Sequence, residues 1–136
     1  MIAKCVANQA AAVPRYLGVL FFDLSVKFEL TVGAQYPVLG MELYQDILQI
    51  LVPDDSDRRL PQWMPAELFD IKVSELPADW FFVAYPAEEM ASQRGFRARW
   101  GYRLLVESDE HRDGLEELDP SALAVFYDEL KRAGHG

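Results

Sequence analysis

The sequence is poor in the residues that most often carry chemistry. It has one cysteine, Cys5, and two histidines, His111 and His135. One thiol cannot close an internal disulfide, so nothing points to an oxidising compartment. Cys5 lies in MIAKCVAN, an alternating stretch that fits a strand with Ile2 and Val6 on one side, and it reads as a small apolar filler. The chain contains no G-x-S-x-G elbow and no phosphate-binding glycine loop. It also lacks two histidines one helical turn apart. DDSDRR (54–59) brings acids close together but fails the calcium-loop template. Counted from Asp55, the sixth position is Leu60 rather than glycine and the twelfth is Ala66 rather than glutamate. It is expected to be a solvated loop. No metal and no cofactor are expected.

Long apolar runs are also missing. YLGVLFF (16–22) is far too short to span a bilayer, and Asn8 and Gln9 interrupt any leader-like segment. The expectation is a cytoplasmic protein with no membrane attachment. Basic residues are scarce: 13 Lys and Arg stand against 22 Asp and Glu, a net charge of −9. Such a surface repels polyphosphate and anionic lipid and attracts basic partners.

What remains is ordinary globular material. Of the 136 residues, 51% are hydrophobic and 12% aromatic, enough for a core without staples. One domain over 1–136 is expected, mainly β over about 1–85 and mainly α over about 100–133. Strands are expected at Ile2–Ala7, Tyr36–Leu43, Asp46–Val52, Gln62–Met64, Leu68–Val73 and Trp80–Tyr85, with a turn at Gly33 and a hairpin connection at Tyr44-Gln45. Prolines 61, 65, 77 and 86 keep these strands short. The segment Tyr16–Phe22 has no clear assignment, and Trp100–Val106 suits either a strand or a helix. Asp119 as cap, Pro120 at the first helical position and a stripe of Leu123, Phe126, Tyr127 and Leu130 predict a final helix ended near Gly134. The fold class is therefore α+β: a small curled antiparallel sheet, or a partly open barrel, with a C-terminal helical segment packed on it.

Two stretches carry most of the functional interest. Residues 107–129 hold nine acids against Arg112 alone, and Glu107, Asp109, Glu110, Asp113, Glu116 and Glu117 are the candidate partner-binding residues. On one face they would make a negative patch that steers a basic protein. The bland alternative is a charged helix exposed to water, which is also the reading of the acids around His111. RGFRARWGYR (94–103) suggests a nucleic-acid grip, with Arg94, Arg97, Arg99 and Arg103 on phosphates and Phe96, Trp100 or Tyr102 against bases. Against that, strand alternation puts Arg97 and Arg99 on one face, toward solvent or paired with the acids that follow in sequence, and Ala98 and Trp100 on the other, core-facing side. The net charge also counts against it. Trp63, Trp80 and Trp100 are candidate aromatic lining residues, with core packing as the alternative.

Taken in order, MIAKCVAN, LTVGAQYPV, WMPAELF and DWFF resemble a family of small, largely uncharacterised bacterial proteins. That family has a Lys-Cys-[Val/Ile]-Ala-Asn strand, a Leu-Thr-x-Gly-x-x-Tyr-x-Val segment, a [Trp/Tyr]-x-Pro-x-x-Leu-Phe segment and an acidic helical tail. The resemblance covers about residues 1–130. QAAAVP after Asn8 departs from it, where a glycine-containing turn is expected. The resemblance brings no catalytic residues. It implies relatives among immunity-type proteins that neutralise the toxins of interbacterial competition. The expected function is thus a protein-binding module with a basic protein partner. Nucleic-acid binding through 94–103 and a small enzyme without a recognisable motif are the alternatives.

Overall fold

A computed structural model describes residues 1–72 and 74–134. Among them are two antiparallel sheets and four α-helices, an α+β arrangement in which neither sheet closes into a barrel. The smaller sheet has β1 (Ile2–Cys5) at its centre, flanked by β2 (Gln35–Pro37) and β6 (Phe69–Asp70). The larger runs in the order β5 (Pro61–Pro65), β4 (Ile47–Pro53), β3 (Gly40–Tyr44), β8 (Phe96–Gly101) and β7 (Phe81–Ala84).

The stretch expected as one strand over Tyr36–Leu43 is two strands in different sheets. Pro37 lacks the N–H to continue a ladder, and the chain turns a corner at Val38 and Leu39. The amide of Val38 donates to Met1 and that of Leu39 to Leu51, so the corner is tied to both sheets. The hairpin between β3 and β4 turns at Gln45 and Asp46, one residue later than the sequence suggests. Gln45 has φ 53°, the positive angle that a tight two-residue connection requires. The strand expected over Leu68–Val73 is reduced to β6, because Ala66–Leu68 forms a single 3₁₀ turn; Val73 lies outside the described residues. Tyr16–Phe22 is irregular: a 3₁₀ turn at Pro14–Tyr16 leads into a tight loop at Gly18.

Side chains alternate across the larger sheet and fill two separate interiors. Ile50, Val52 and Met64 point to the smaller sheet and the N-terminal loops, where Ala3, Cys5, Tyr36, Leu68 and Phe69 complete one cluster. Leu51 points the other way, to Leu105, Leu115, Ala122, Phe126 and Leu130. These come from α2 (Arg103–Glu107), α3 (Asp109–Glu116) and α4 (Pro120–Arg132). Trp100–Val106 therefore divides: β8 ends at Gly101 and α2 follows. The short α1 (Met90–Gln93) leads into β8.

Two glycines set how closely the helices approach. Gly40 and Gly101 face each other across β3 and β8. A Cβ on either would fall 2.3 or 2.7 Å from Leu105 Cδ2, so Leu105 occupies the notch that both leave. The last helix is capped as its sequence predicts, with the Asp119 carboxylate accepting from the Ala122 amide at 3.2 Å.

Candidate functional site

The helical face of the sheet carries charge in its interior. Glu42, on β3, is 0% exposed, and Arg99 beside it on β8 is 1% exposed. Arg99 Nε donates to Glu42 Oε2 at 3.3 Å, while its Nη1 reaches Asp109 Oδ1 at 3.1 Å and the Leu105 carbonyl at 3.3 Å. Arg112, buried on α3, donates from Nε to Glu42 Oε2 at 3.1 Å and from Nη2 to Glu42 Oε1. Its Nη1 pairs with Glu116 Oε1 at 2.7 Å. Aromatic rings complete the enclosure. The Phe96 centroid lies 5.2, 5.2 and 4.6 Å from the guanidinium carbons of Arg94, Arg99 and Arg112. Trp63 lies 5.4 Å from Arg112. A guanidinium suits this position because it is planar, weakly hydrated and able to donate to two carboxylates while stacking on rings.

Two sequence expectations are corrected here. Arg97 and Arg99 do not share a face, Arg97 being exposed and Arg99 buried against Glu42 and Asp109, and the acids of 107–113 do not belong to a helix wholly exposed to water. The cause of the first is a bulge. Leu43 pairs with Ala98 but Tyr44 pairs with Phe96, so Arg97 is unmatched. The extra residue shifts the alternation and brings Phe96 and Arg99 to one face. The second follows from α3, whose inner side carries His111 and Arg112 into the interior. Tyr102 Oη and His111 Nε2 share a hydrogen bond of 2.6 Å, and burial holds the imidazole below its usual pKa. His135 lies outside the described residues.

The proposed acidic patch stays at the surface but is largely engaged in ion pairs. Glu107 pairs with Arg103 at 3.1 Å, Asp109 with Arg99, Asp113 with Arg94 at 3.1 Å, and Glu116 with Arg112. Only Glu110 and Glu117 of the six have no ion pair among the described residues. The arginines of 94–103 are engaged in the same way: Arg97 donates to Ser92 Oγ at 3.0 Å, and Arg94, Arg99 and Arg103 hold carboxylates. The DDSDRR loop is not simply solvated either. Buried Asp54 accepts from the amides of Ser56 and Leu60 at 3.0 and 2.9 Å, and Asp55 accepts from Tyr36 Oη at 2.9 Å. No group of three or more His, Cys, Asp or Glu among the described residues is placed to hold a metal. No helix among them is long and apolar enough to cross a membrane.

The three tryptophans do not meet. Trp63 lines a cleft of about 660 Å³ where the N-terminal loop, the sheet and α3 converge. Trp80 packs against the cluster of the smaller sheet. Trp100 stacks with Phe82 on the opposite face of the larger sheet, centroids 5.0 Å apart.

That last pair belongs to an exposed surface rather than to the core. β7 is an edge strand, bonded to β8 alone. Tyr85 donates its amide to Arg97 at 3.0 Å, so in antiparallel alternation Phe81 and Val83 bond β8 while the N–H and C=O of Phe82 and Ala84 point outward. Phe82 is 57% exposed, and Phe81 and Leu76 are exposed beside it in sequence. Compared with known protein families, with curated proteins and with solved structures, the chain matches none.

Proposed function

We propose that the chain is a protein-recognition module that docks through the outer edge of β7. Its partner is a basic protein, of the toxin class that the sequence resemblance implies. The composition of that edge carries the reading. Between Lys72 and Arg94 the chain has Glu75, Asp79, Glu88 and Glu89 and no basic residue. All four acids are exposed. Within this span lie the exposed side chains of Leu76, Phe81, Phe82 and Met90, the last 72% exposed. Outward N–H and C=O groups template an added strand, an aromatic anchor gives affinity, and an acidic rim draws in a basic segment. A second copy would bring the same four acids, and like charge opposes edge-to-edge pairing of the chain with itself. The helical acids contribute less than their number implies, because four of the six are already paired.

Ala84→Pro tests the reading. Proline there removes an outward N–H and leaves the β7–β8 bonds in place. Capture from the native bacterium is run with wild type and variant side by side, and the recovered partner is purified and titrated against both. The expected result is a one-to-one complex weakened about tenfold or more by Ala84→Pro and by Phe82→Ser, and weakened by salt. Equal binding by wild type and Ala84→Pro would overturn it. Exchange protection confined to α3 and α4 would move the interface to Glu110 and Glu117. A dimer abolished by Ala84→Pro would make β7 a seam between two copies instead.

A further inference from the structure

The cleft beside Arg112 has the features of a small-molecule site distinct from the β7 edge. Its floor is the helical face of the sheet toward β5, its walls the N-terminal loop at Phe28 and the start of β8 at Phe96, and its rim Glu116 of α3. A volume near 660 Å³ suits a ligand of one or two fused rings with a substituent. Most of its polar lining is already committed. Arg94 holds Asp113, Arg112 holds Glu42 and Glu116, and Gln62 Nε2 donates to Asp54 Oδ2 at 3.2 Å.

Gln49 and the indole N–H of Trp63 are not committed. Gln49 is 5% exposed, lines the cleft, and its carboxamide has no hydrogen-bond partner among the described residues. Its amide is open to the cleft rather than sealed from water, so it is free to meet a ligand, and the indole Nε1 of Trp63 in the same lining is buried without a partner. The carbonyl and amino group of Gln49 sit side by side, so the complementary ligand carries a donor and an acceptor side by side as well. That is the edge of a nucleobase, which a glutamine reads through two parallel hydrogen bonds. Tyr44 and Phe28, both half-buried, offer rings for a flat ligand to pack on. The charge of the site argues for a neutral ligand. The two cations are neutralised by their own carboxylates, and Glu116 stays half-exposed at the rim, which disfavours a phosphate.

We propose that this cleft binds an uncharged nucleobase or nucleoside, with Gln49 as the residue that reads its hydrogen-bonding edge. The full chain, ¹⁵N-labelled, is titrated with adenosine, guanosine, cytidine and uridine, and then with AMP. The expected result is saturable movement of the Gln49 side-chain amide signals by at least one nucleoside, with a Kd on the order of 0.1–1 mM. Gln49→Met, folded by its dispersed spectrum, should weaken that binding about tenfold or more. Tyr44→Leu should weaken it by loss of packing and serves as a second variant. No movement with any of the four nucleosides overturns the proposal, as does binding that Gln49→Met leaves intact. Tighter binding of AMP than of adenosine also overturns it, because the arginines would then be acting as an anion site.

Discussion

Glu42→Gln preserves the shape of the side chain and removes one charge, which isolates what the buried carboxylate does. In the wild-type protein Glu42 faces both Arg99 and Arg112. In the variant, two buried guanidiniums meet with only their outer partners left. Arg99 keeps Asp109 and the Leu105 carbonyl, and Arg112 keeps Glu116. Breaking a buried pair by removing one partner costs about 3–5 kcal/mol, and the surviving partners place this variant near the lower end, about 3 kcal/mol. For a chain of this length that corresponds to a fall in Tm of about 10 °C. In urea it corresponds to a midpoint lowered by about 1.5–2 M at unchanged slope. The assay is urea unfolding followed by tryptophan fluorescence, repeated with Arg112→Met and with the double variant. The double variant should be less destabilised than the sum of the singles, by about 1–3 kcal/mol. A loss under about 1 kcal/mol for Glu42→Gln, or strict additivity, would refute the view that this cluster fastens α3 to the sheet.

Gly101→Ala should cost about 2–3 kcal/mol, because the residue has φ 150° and the new Cβ would lie 2.9 Å from the Leu39 carbonyl oxygen, a backbone atom that cannot swing aside. An unchanged urea midpoint would show that the notch under Leu105 is not tight. Stability should also fall as the pH drops. Burial holds the folded pKa of His111 below the unfolded value, so the unfolded chain takes up the proton first. His111 therefore contributes fully above its unfolded pKa of 6.5 and loses that contribution as the pH falls from there toward the folded value. Urea midpoints at pH 7.5 and 5.5 should differ more in the wild type than in His111→Gln; equal differences would remove His111 as the cause.

The helical end of the chain was readable because its signals are local. Asp119, Pro120 and the spacing of Leu123, Phe126 and Leu130 each specify the helix within a few residues, and α4 follows them. The strand positions were also legible from runs and breaks. Their division into two sheets was not, because nothing local tells Tyr36 and Leu43 that they belong to different sheets. The burial of Arg99 depends on its register opposite Glu42 and on the helices that cover that face, a property of distant elements rather than of the RGFRARWGYR stretch. That arginines of 94–103 pair with the acids that follow was legible from their charges, but which acid each one meets, and that Arg112 of α3 takes Glu116, was not. Gln49 offered no signal at all: one polar residue in ILQILV is what an ordinary half-exposed strand would have.

The division of the interior by the larger sheet also sets an order of assembly. The buried members of the cluster on the smaller-sheet side fall between Ala3 and Phe69, so that side has its material once the first half of the chain exists. The other side has Leu39 and Leu51 early but waits for Tyr102 through Leu130. A chain made from its N-terminus therefore carries a half-clothed sheet for much of its synthesis. Leu51 and Glu42 stand bare on that sheet until the last helices arrive. Truncation near residue 100 would fix the protein in that condition, with an apolar face and a lone carboxylate turned to water.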